Sequence, residues 1–230
     1  MTTTLPPELL AALAEFDSPT VSNAVELFET RDHVEGYASL ALRCLTPGER
    51  PMVGYAVTMT ADTTRPGETR PHRIGELFDR ILAAPRPSVL VIQHVGEDRA
   101  RSCFVGDMFC AALQRYGGVG VATDGGVRDV PGIRQRAPGF GVFAAGTVVS
   151  HGAPAFIDFD VAVSICGMTI ASGDLIHADD SGLLTVPVAI AGGVVEKARA
   201  IRAKEREFFD FLAADFAHED LKRRLVKNAH

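Results

Sequence analysis

The sequence predicts an α/β fold: a single α/β/α domain with a mixed central sheet, a β-rich portion and a long C-terminal helix. Short apolar runs at 88–95 and 119–122 are typical of strands buried on both faces of a parallel sheet. Stretches with helical spacing of apolar residues alternate with these runs, which indicates parallel βαβ units. Residues 158–170 and 174–187 are instead typical of strands joined by tight turns, which indicates an antiparallel portion.

The elements follow one another without an internal repeat or linker. Proline fits the first turn of a helix, so Pro6 and Pro7 are expected to begin one helix, and Ser18 to cap a second that starts at Pro19. Apolar spacing gives the other elements: a strand at 52–61, helices at 73–84 and 107–116, a short helix from 130, a strand at 141–149, a helix at 193–215 and a short helix after it. We therefore expect one domain over residues 1–230.

The composition disfavours several function classes. The formal net charge is −6 and no basic patch is present, so we expect no nucleic-acid partner. No apolar run approaches the roughly 20 residues that a membrane span needs, and no signal peptide is recognisable, so we expect a cytoplasmic protein. All four lysines lie at or after Lys197, which disfavours a Schiff-base mechanism. The four cysteines lack zinc-site spacing and are expected to be reduced thiols.

Turn-forming and charged residues concentrate in two segments, at 106–107 and 123–129, and both flank apolar runs. In open α/β sheets, binding sites gather at the carboxyl ends of strands. Arg128 can bind a carboxylate through two parallel N–H···O bonds, and Asp129 can hold Mg²⁺ while leaving most of its coordination sphere to water and substrate. The helix that begins near Asp107 offers free N–H groups to an anion. These residues together predict a site for a 2-oxo carboxylate and its enolate.

The same residue types also suit purely structural roles. Asp107 and Asp129 could be helix caps, and Arg128 could pair with a surface acid. The glycines at 118 and 120 form a fragment of a dinucleotide-binding G-x-G-x-x-G motif, but Thr123 stands in place of its third glycine. These glycines also open the apolar run rather than follow it, so a dinucleotide-dependent oxidoreductase is disfavoured.

The order and spacing of these residues resemble a known family. Asp107, twenty further residues and then Arg128-Asp129 match the D-x20-R-D signature of the HMG/CHA aldolases, a family that includes the regulator of ribonuclease activity A. Residues 53–58 and 172–187 resemble its early G-x-A-x-T strand and its P-G-D…D-x-x-G…P hairpin. The resemblance covers residues 8–210. It depends mainly on residues 124–129, whose sequence Asp-Gly-Gly-Val-Arg-Asp is specific to the family pattern.

The resemblance implies a lyase that cleaves a 4-hydroxy-2-oxo acid to pyruvate by a retro-aldol reaction, with oxaloacetate decarboxylation as a side activity. It implies a divalent metal, Mg²⁺ or Mn²⁺, anchored largely through water by Asp129. Asp107 is implied to position a water for proton transfer, and Arg128 to bind the substrate's carboxylate or keto oxygen. The backbone N–H groups of the residues after Asp107 are implied to hold the carboxylate, so the substrate-binding set is Gly106, Asp107, Met108, Phe109 and Arg128.

The resemblance also implies self-association as a homotrimer or homohexamer with sites at subunit interfaces. A glutamate from a neighbouring subunit's C-terminal helix often assists in this family. Glu205 is the candidate here, and Glu196 and Glu207 are its rivals, because no distinctive motif surrounds any of them. The alternative function is a non-catalytic, protein-binding regulator of a ribonuclease with the same fold.

The sequence departs from the family pattern at three places. Asn23 stands where the family often has an acid, Ser172 replaces the proline of P-G-D, and residues 150–156 follow no alignable pattern. These departures bear on the part of the substrate beyond the pyruvate unit. Among the histidines, we expect His94 to be packed or hydrogen-bonded, whereas nothing in the sequence places His151 or His177 at the site.

Overall fold

The computed structural model describes residues 4–65, 67–70 and 72–227, so the expected domain range of 1–230 begins and ends outside the described residues. The helices are α1 (Pro7–Leu13), α2 (Ser18–Glu26), α3 (Ile74–Ala83), α4 (Asp107–Arg115), α5 (Val130–Arg136), α6 (Ala191–Ala213) and α7 (His218–Lys227). The strands are β1 (Arg43–Cys44), β2 (Met52–Thr63), β3 (Ser88–His94), β4 (Cys103–Val105), β5 (Gly118–Val127), β6 (Gly141–Thr147), β7 (Pro154–Phe159), β8 (Val163–Ile165), β9 (Met168–Ile170), β10 (Leu175–Asp179) and β11 (Gly182–Val186).

The centre of the main sheet is parallel and its edges are antiparallel. The strand order is β1-β6-β5-β3-β2-β10-β11, with β4 beside β5 and β7 beside β2. Strands β2, β3, β5 and β6 run parallel to one another, whereas β1, β7, β10 and β11 pair in the antiparallel sense. The predicted α/β class with a mixed central sheet, a β-rich portion and a long C-terminal helix is therefore confirmed.

Alternate side chains of the central strands pack on opposite faces. Leu90 and Ile92 pack with α3, α4 and α5, whereas Val89 and Val91 pack with the β8–β9 hairpin. Helices α1, α2 and α6 cover β2, β10 and β11. Each fully buried aliphatic side chain of this kind contributes about 1.5–3 kcal/mol. Both faces are thus covered, and the strand ends are left for ligand access.

Helix α2 begins one residue earlier than expected because Asp17, rather than Ser18, caps it. Asp17 Oδ1 accepts a hydrogen bond from Thr20 N–H at 2.8 Å, and the Thr20 hydroxyl donates to the same carboxylate at 2.9 Å. The Ser18 hydroxyl is buried and lies 3.0 Å from His177 Nδ1. The Asp17 carboxylate therefore makes the capping hydrogen bond that was expected from the Ser18 hydroxyl.

Strand β5 is longer than the apolar run that predicted it. It continues through the polar and glycine-rich residues to Val127 because β4 pairs beside it, and Gly126 N–H donates to Ser102 O at 2.9 Å. The expected strand at 158–170 is in fact the end of β7 followed by the β8–β9 hairpin. That hairpin turns at Cys166 and Gly167, whose φ values of 46° and 81° suit a two-residue turn. Within the described part of the chain, no helix has the length and apolar character to cross a bilayer.

Candidate active site

The two chain segments singled out in the sequence meet at the carboxyl ends of β4 and β5. Arg128 N–H donates to Val105 O at 3.0 Å, which fixes the residues after β5 against the residues after β4. A Cβ atom at Gly106 would lie 3.0 Å from Asp129 Oδ2, so a larger residue here would crowd the Asp129 carboxylate. The parallel pairing of β4 with β5 therefore builds the site.

A pocket of about 160 Å³ opens at this junction. The three residues of the D-x20-R-D signature all line it, together with the other substrate-binding residues expected from the sequence. Its lining residues are Cys103, Phe104, Val105, Gly106, Asp107, Met108, Phe109, Arg128, Asp129, His151 and Pro154. Asp107, Arg128 and Asp129 thus share one cavity, as a common role in binding requires.

Larger depressions occur elsewhere, and they do not contain these residues. A groove of about 840 Å³ is lined by Met52, Pro87, Val119 and Gly141, which lie at the amino ends of the parallel strands. A second, of about 380 Å³, is lined by residues 124–126 and 145–148. Ligands of open α/β sheets bind at the carboxyl ends of strands, so position and residue chemistry favour the smaller pocket over the larger groove.

Asp107 is held by two donors on its two carboxylate oxygens. Its Oδ1 accepts from Met108 N–H at 2.7 Å, and its Oδ2 accepts from Arg136 Nη1 at 2.6 Å. A Cβ atom at Gly132 would lie only 2.6 Å from Oδ2, so the glycine in α5 makes room for this carboxylate. Asp107 is the first residue of α4, and Gly106 occupies the N-cap position. The side chain of Asp107 is therefore oriented by α5 as well as by its own helix.

Asp129 occupies the N-cap position of α5 but does not cap it through its side chain. Its backbone is left-handed, with φ 58° and ψ 29°, a conformation that costs on the order of 1 kcal/mol in a residue other than glycine. Its Oδ2 lies 3.1 Å from Arg128 Nε, and its side chain is 41% exposed. A capping role for the Asp129 side chain is thus wrong, and its carboxylate lines the pocket beside Arg128.

The start of α4 offers fewer free amides than the sequence suggested. Met108 N–H, expected to hold a substrate carboxylate, donates to Asp107 Oδ1 in the structure. The neighbouring aspartate is near enough to accept this bond, and the role of Met108 in substrate binding stays a prediction. Phe109 N–H lies in the first helical turn, where helix geometry supplies no intrahelical acceptor. The positive end of the helix and Phe109 N–H therefore remain as the anion-binding features of this turn.

The C-terminal glutamates lie outside this pocket. Glu205, Glu196 and Glu207 are exposed residues of α6, a helix that packs against α1 and α2. None of them lines the cavity within the described chain. A role for Glu205 therefore requires a second copy of the chain and stays a prediction.

Of the three histidines considered from the sequence, one lines the pocket and two lie in the interior. His151, which the sequence did not place, lines the pocket from the irregular segment before β7. His94 is buried, its Nδ1 lies 3.1 Å from Gly96 O, and its ring stacks on Phe104 at 5.3 Å, so its expected packing is confirmed. His177 is bound to Ser18 Oγ and Leu13 O, and burial lowers its pKa. His177 is therefore a structural residue.

Asp124, to which the sequence assigned no role, is buried and joins two strands of the sheet. Its buried carboxylate accepts from His94 N–H at 2.7 Å and from Arg99 Nη1 at 3.2 Å. It thereby ties the end of β3 to β5. The glycines at 125 and 126 mark residues 123–129 as a candidate site. They do not distinguish Asp124, which is buried, from Asp129, which lines the pocket.

The thiols near the pocket are unsuited to nucleophilic catalysis. Burial raises the pKa of Cys103, which lines the pocket, and raises the pKa of Cys110 to about 12. A thiol attacks as its thiolate, which a raised pKa disfavours at neutral pH. Apart from Cys103, the ionisable side chains among the lining residues of the described chain are Asp107, Arg128, Asp129 and His151.

Comparison with protein families gives a match over most of the chain. The RraA-like model, described as Aldolase/RraA, matches residues 18–185. Protein DlpA of Legionella pneumophila is 30% identical over 211 residues, which is 90% of this chain and 32% of DlpA. A Halalkalibacterium halodurans protein named "Putative 4-hydroxy-4-methyl-2-oxoglutarate aldolase" is 28% identical over 51% of this chain and 54% of its own length. The chain thus spans about a third to a half of these two relatives.

Comparison with solved structures supports the same assignment. The structure of Streptomyces coelicolor RraAS2, described as an unusual member of the RNase ES inhibitor RraA protein family, matches with a TM-score of 0.68 at 26% identity. The match covers 90% of this chain and 98% of RraAS2. The D-x20-R-D spacing, the junction of β4 with β5 and the match of the family model over residues 18–185 all agree, and the chain belongs to the RraA-like family.

Proposed function

We propose that the chain is a divalent-metal-dependent lyase that cleaves a 4-hydroxy-2-oxo acid to pyruvate by a retro-aldol reaction. The observation that carries the proposal is the single pocket shared by Asp107, Arg128 and Asp129 at the amino end of α4. A guanidinium and a helix terminus supply donors for a 2-oxo carboxylate, and two carboxylates supply acceptors for a hydrated cation. The aldolase name of the Halalkalibacterium halodurans relative supports the same chemistry.

The donors in this pocket suit Mg²⁺ or Mn²⁺. Mg²⁺ keeps several of its waters and is commonly bound through one or two carboxylates together with the substrate. Asp129, whose side chain is partly exposed and makes no capping bond, would hold the ion, largely through water. Among the described residues, no group of three or more His, Cys, Asp or Glu side chains is placed to hold a metal, so water and substrate would complete the coordination. When bound, the ion supplies Lewis-acid polarisation of the keto oxygen.

Arg128 is the residue that we assign to the pyruvate end of the substrate. Its Nε lies 3.1 Å from Asp129 Oδ2, and its Nη1 and Nη2 groups can donate to a carboxylate or keto oxygen. Phe109 N–H adds a donor from the helix terminus. When the C3–C4 bond breaks, its electron pair moves to C3 and negative charge develops on the keto oxygen. Donors fixed in advance around that oxygen stabilise the resulting enolate.

Asp107 is assigned to proton transfer. The C4 hydroxyl must lose a proton for the bond to break, and C3 must gain one to give pyruvate. Each carboxylate oxygen has two lone pairs, so Asp107 can accept a hydrogen bond from a water in addition to those from Met108 and Arg136. That water would carry the proton. In a homotrimer or homohexamer, Glu205 of a neighbouring copy would assist as a base.

Oxaloacetate decarboxylation is proposed as a side activity because loss of carbon dioxide from oxaloacetate leaves the same pyruvate enolate. A pyruvate-release assay coupled to lactate dehydrogenase tests both reactions. We expect pyruvate from oxaloacetate and from at least one 4-hydroxy-2-oxo acid, loss of activity in EDTA, and recovery with Mg²⁺ or Mn²⁺. Full activity in EDTA would remove the metal from the mechanism. No pyruvate from any of these compounds, with metal present, would remove the lyase assignment.

A protein-binding regulator of a ribonuclease is the second candidate. The match to RraAS2 over 98% of that protein's length favours it. Such regulation acts through protein contact, and exposed apolar side chains are available on and after α6, at Phe209, Leu212 and Phe216. A pull-down with ribonuclease E, run beside the pyruvate assay, separates the two candidates. Capture of the ribonuclease without pyruvate release would favour the regulator.

A further inference from the structure

Residues 148–153 form an irregular segment that joins two fixed points at the carboxyl edge of the main sheet. At its start, Val148 N–H donates to the carbonyl oxygen of Val127, the last residue of β5, at 3.0 Å. At its end, Ala153 O accepts from Thr64 N–H at 2.8 Å, just beyond β2, where β7 begins to pair with that strand. The segment therefore runs from the carboxyl end of β5 to the carboxyl end of β2.

His151 lies in the middle of this segment and lines the pocket. The residue after it, Gly152, has a φ of 60°, a left-handed conformation that glycine adopts without strain. Gly152 N–H donates to Ser150 Oγ at 3.2 Å, and a Cβ atom at Gly152 would lie 3.1 Å from Thr63 Cγ2. This turn and the two fixed ends of the segment together hold the His151 backbone beside the pocket.

The imidazole of His151 shares the cavity with the three residues of the D-x20-R-D signature. The cavity is small, about 160 Å³, so a bound 2-oxo acid would lie close to each lining side chain, directly or across one water. His151 is an exposed residue, so a proton on its ring can also pass to solvent. The chain supplies this histidine itself, and its presence in the pocket does not depend on what a neighbouring copy adds.

Retro-aldol cleavage needs proton transfers at two different atoms of the substrate, because the C4 hydroxyl loses a proton and C3 gains one. The guanidinium of Arg128 stays protonated, and Asp129 is assigned to the metal. The Asp107 carboxylate already accepts hydrogen bonds from Met108 N–H and Arg136, and it is assigned to holding one water. An imidazole, in contrast, accepts and releases protons near neutral pH.

On the basis of the proposed lyase function, we propose that His151 is a catalytic residue that takes the proton of the C4 hydroxyl, while the water held by Asp107 serves C3. The O–H bond at C4 breaks, and its proton joins the imidazole ring. The C4–O bond becomes a carbonyl, the C3–C4 bond breaks, and the electron pair of that bond forms the enolate. C3 then takes a proton from the water at Asp107, and the imidazolium returns its proton to the hydroxide that is left. No oxidant, reductant or other co-reactant is consumed.

Oxaloacetate separates the two proton transfers. Its C4 leaves as carbon dioxide, so no hydroxyl proton has to be removed, whereas protonation of the enolate at C3 is the same as in cleavage. A base for the C4 hydroxyl is therefore needed for cleavage and not for decarboxylation. Loss of the His151 imidazole should lower the first activity and leave the second.

Paired measurements of kcat on His151→Gln test the inference. Glutamine keeps a hydrogen-bonding side chain but does not act as a base. The substrates are 4-hydroxy-2-oxoglutarate, 4-hydroxy-2-oxohexanoate and oxaloacetate, with Mg²⁺ present. We expect kcat for cleavage to fall about a hundredfold and kcat for oxaloacetate decarboxylation to stay within about threefold of wild type. Because the ratio of the two activities is taken within one preparation, a reduced active fraction cancels.

The matched control is Val149→Gln in the same segment. Val149 is 96% exposed and is not among the residues that line the pocket. This variant places the same side chain two residues away, and we expect it to keep both activities. A selective loss of cleavage in the control as well would trace the effect to the segment and overturn the role of the imidazole.

The remaining outcomes separate this inference from the proposed function. Equal loss of both activities in His151→Gln, or cleavage kept within about threefold of wild type, overturns the assignment of His151 and leaves the lyase function standing. A wild-type protein that cleaves no 4-hydroxy-2-oxo acid overturns the lyase function and this assignment with it.

Discussion

Arg136 Nη1 lies 2.6 Å from Asp107 Oδ2, and the same oxygen would lie 2.6 Å from a Cβ atom at Gly132. One turn of α5 therefore provides both a donor and the space for the carboxylate that begins α4. A charge-assisted bond fixes the direction of the carboxylate as well as its position, although the exposure of Arg136 limits its contribution to stability. Arg136 does not line the pocket itself. It would therefore influence the reaction only by holding Asp107 in position.

Arg136→Met should lower kcat for pyruvate release about tenfold with little change in KM, because Asp107 loses its fixed orientation while Arg128 still binds the substrate. Arg136→Lys, which keeps a donor, should restore part of kcat. The matched control is Arg134→Met on the same helix, since Arg134 donates to Leu45 O instead. A kcat that falls equally in the control, or that Arg136→Lys does not improve, would show that Arg136 has only a structural role.

Gly132→Ala should reduce activity about tenfold or more with only a small loss of stability. The added methyl would meet Asp107 Oδ2 at 2.6 Å and Arg136 Nη1 at 2.8 Å, so the pair must separate. Alanine is favoured over glycine inside a helix by about 1 kcal/mol, which offsets part of the crowding. The control is Gly75→Ala in α3, where a Cβ atom meets nothing within 4 Å. We expect that variant to keep full activity and a Tm at or above wild type; wild-type activity in Gly132→Ala would contradict the positioning of Asp107.

Substitution of Asp129 should separate its backbone role from its chemical role. Glycine adopts the left-handed conformation at no cost, whereas alanine is strained there by about 1 kcal/mol, so Asp129→Gly should unfold at a higher Tm than Asp129→Ala. Both variants lack the carboxylate and should lose metal-dependent pyruvate release. Thermal unfolding and the coupled assay are measured on the same preparations. If Asp129→Gly instead keeps more activity than Asp129→Ala, in proportion to its higher Tm, Asp129 has a structural role only.

Loss of Arg128 should be costly for the pyruvate end of any substrate. We expect Arg128→Ala to lower kcat/KM for oxaloacetate by about a hundredfold, equivalent to roughly 3 kcal/mol of transition-state stabilisation. Arg128→Lys keeps the charge but loses the planar pair of donors, so it should recover only a fraction. A kcat/KM for Arg128→Ala within about threefold of wild type would rule out the carboxylate-binding role.

Mixing of inactive subunits tests whether a neighbouring copy completes the site. Asp129→Ala and Glu205→Ala chains, each inactive alone, should regain activity when they are unfolded and refolded together, because some interfaces then carry both native residues. Glu196→Ala and Glu207→Ala, on the same helix, are the matched alternatives. Verified mixed oligomers without recovered activity would exclude Glu205 from the site.

The sequence predicted the meeting of 106–107 with 123–129 because both segments flank buried strands, and parallel strands bring their carboxyl ends together. It could not predict Arg136, whose pairing with Asp107 depends on how α5 packs against α4. Nor could it predict the left-handed backbone of Asp129 or the position of His151. His151 lies in a segment without periodicity, and only the pairing of β7 with β2 brings that segment to the pocket. Strand periodicity identifies an element, whereas contacts between elements decide which polar side chains converge.

The exchange of the pyruvate methyl protons for deuterium, followed by NMR in D₂O, tests most directly whether Asp107, Arg128 and Asp129 act together on a pyruvate enolate. It requires no knowledge of the group beyond the pyruvate unit. With Mg²⁺ or Mn²⁺ present, the protein should catalyse loss of the methyl signal, and the loss should cease in EDTA and in Arg128→Ala. A protein that leaves the methyl signal unchanged with metal present, or exchanges it equally well without Arg128, would contradict the account.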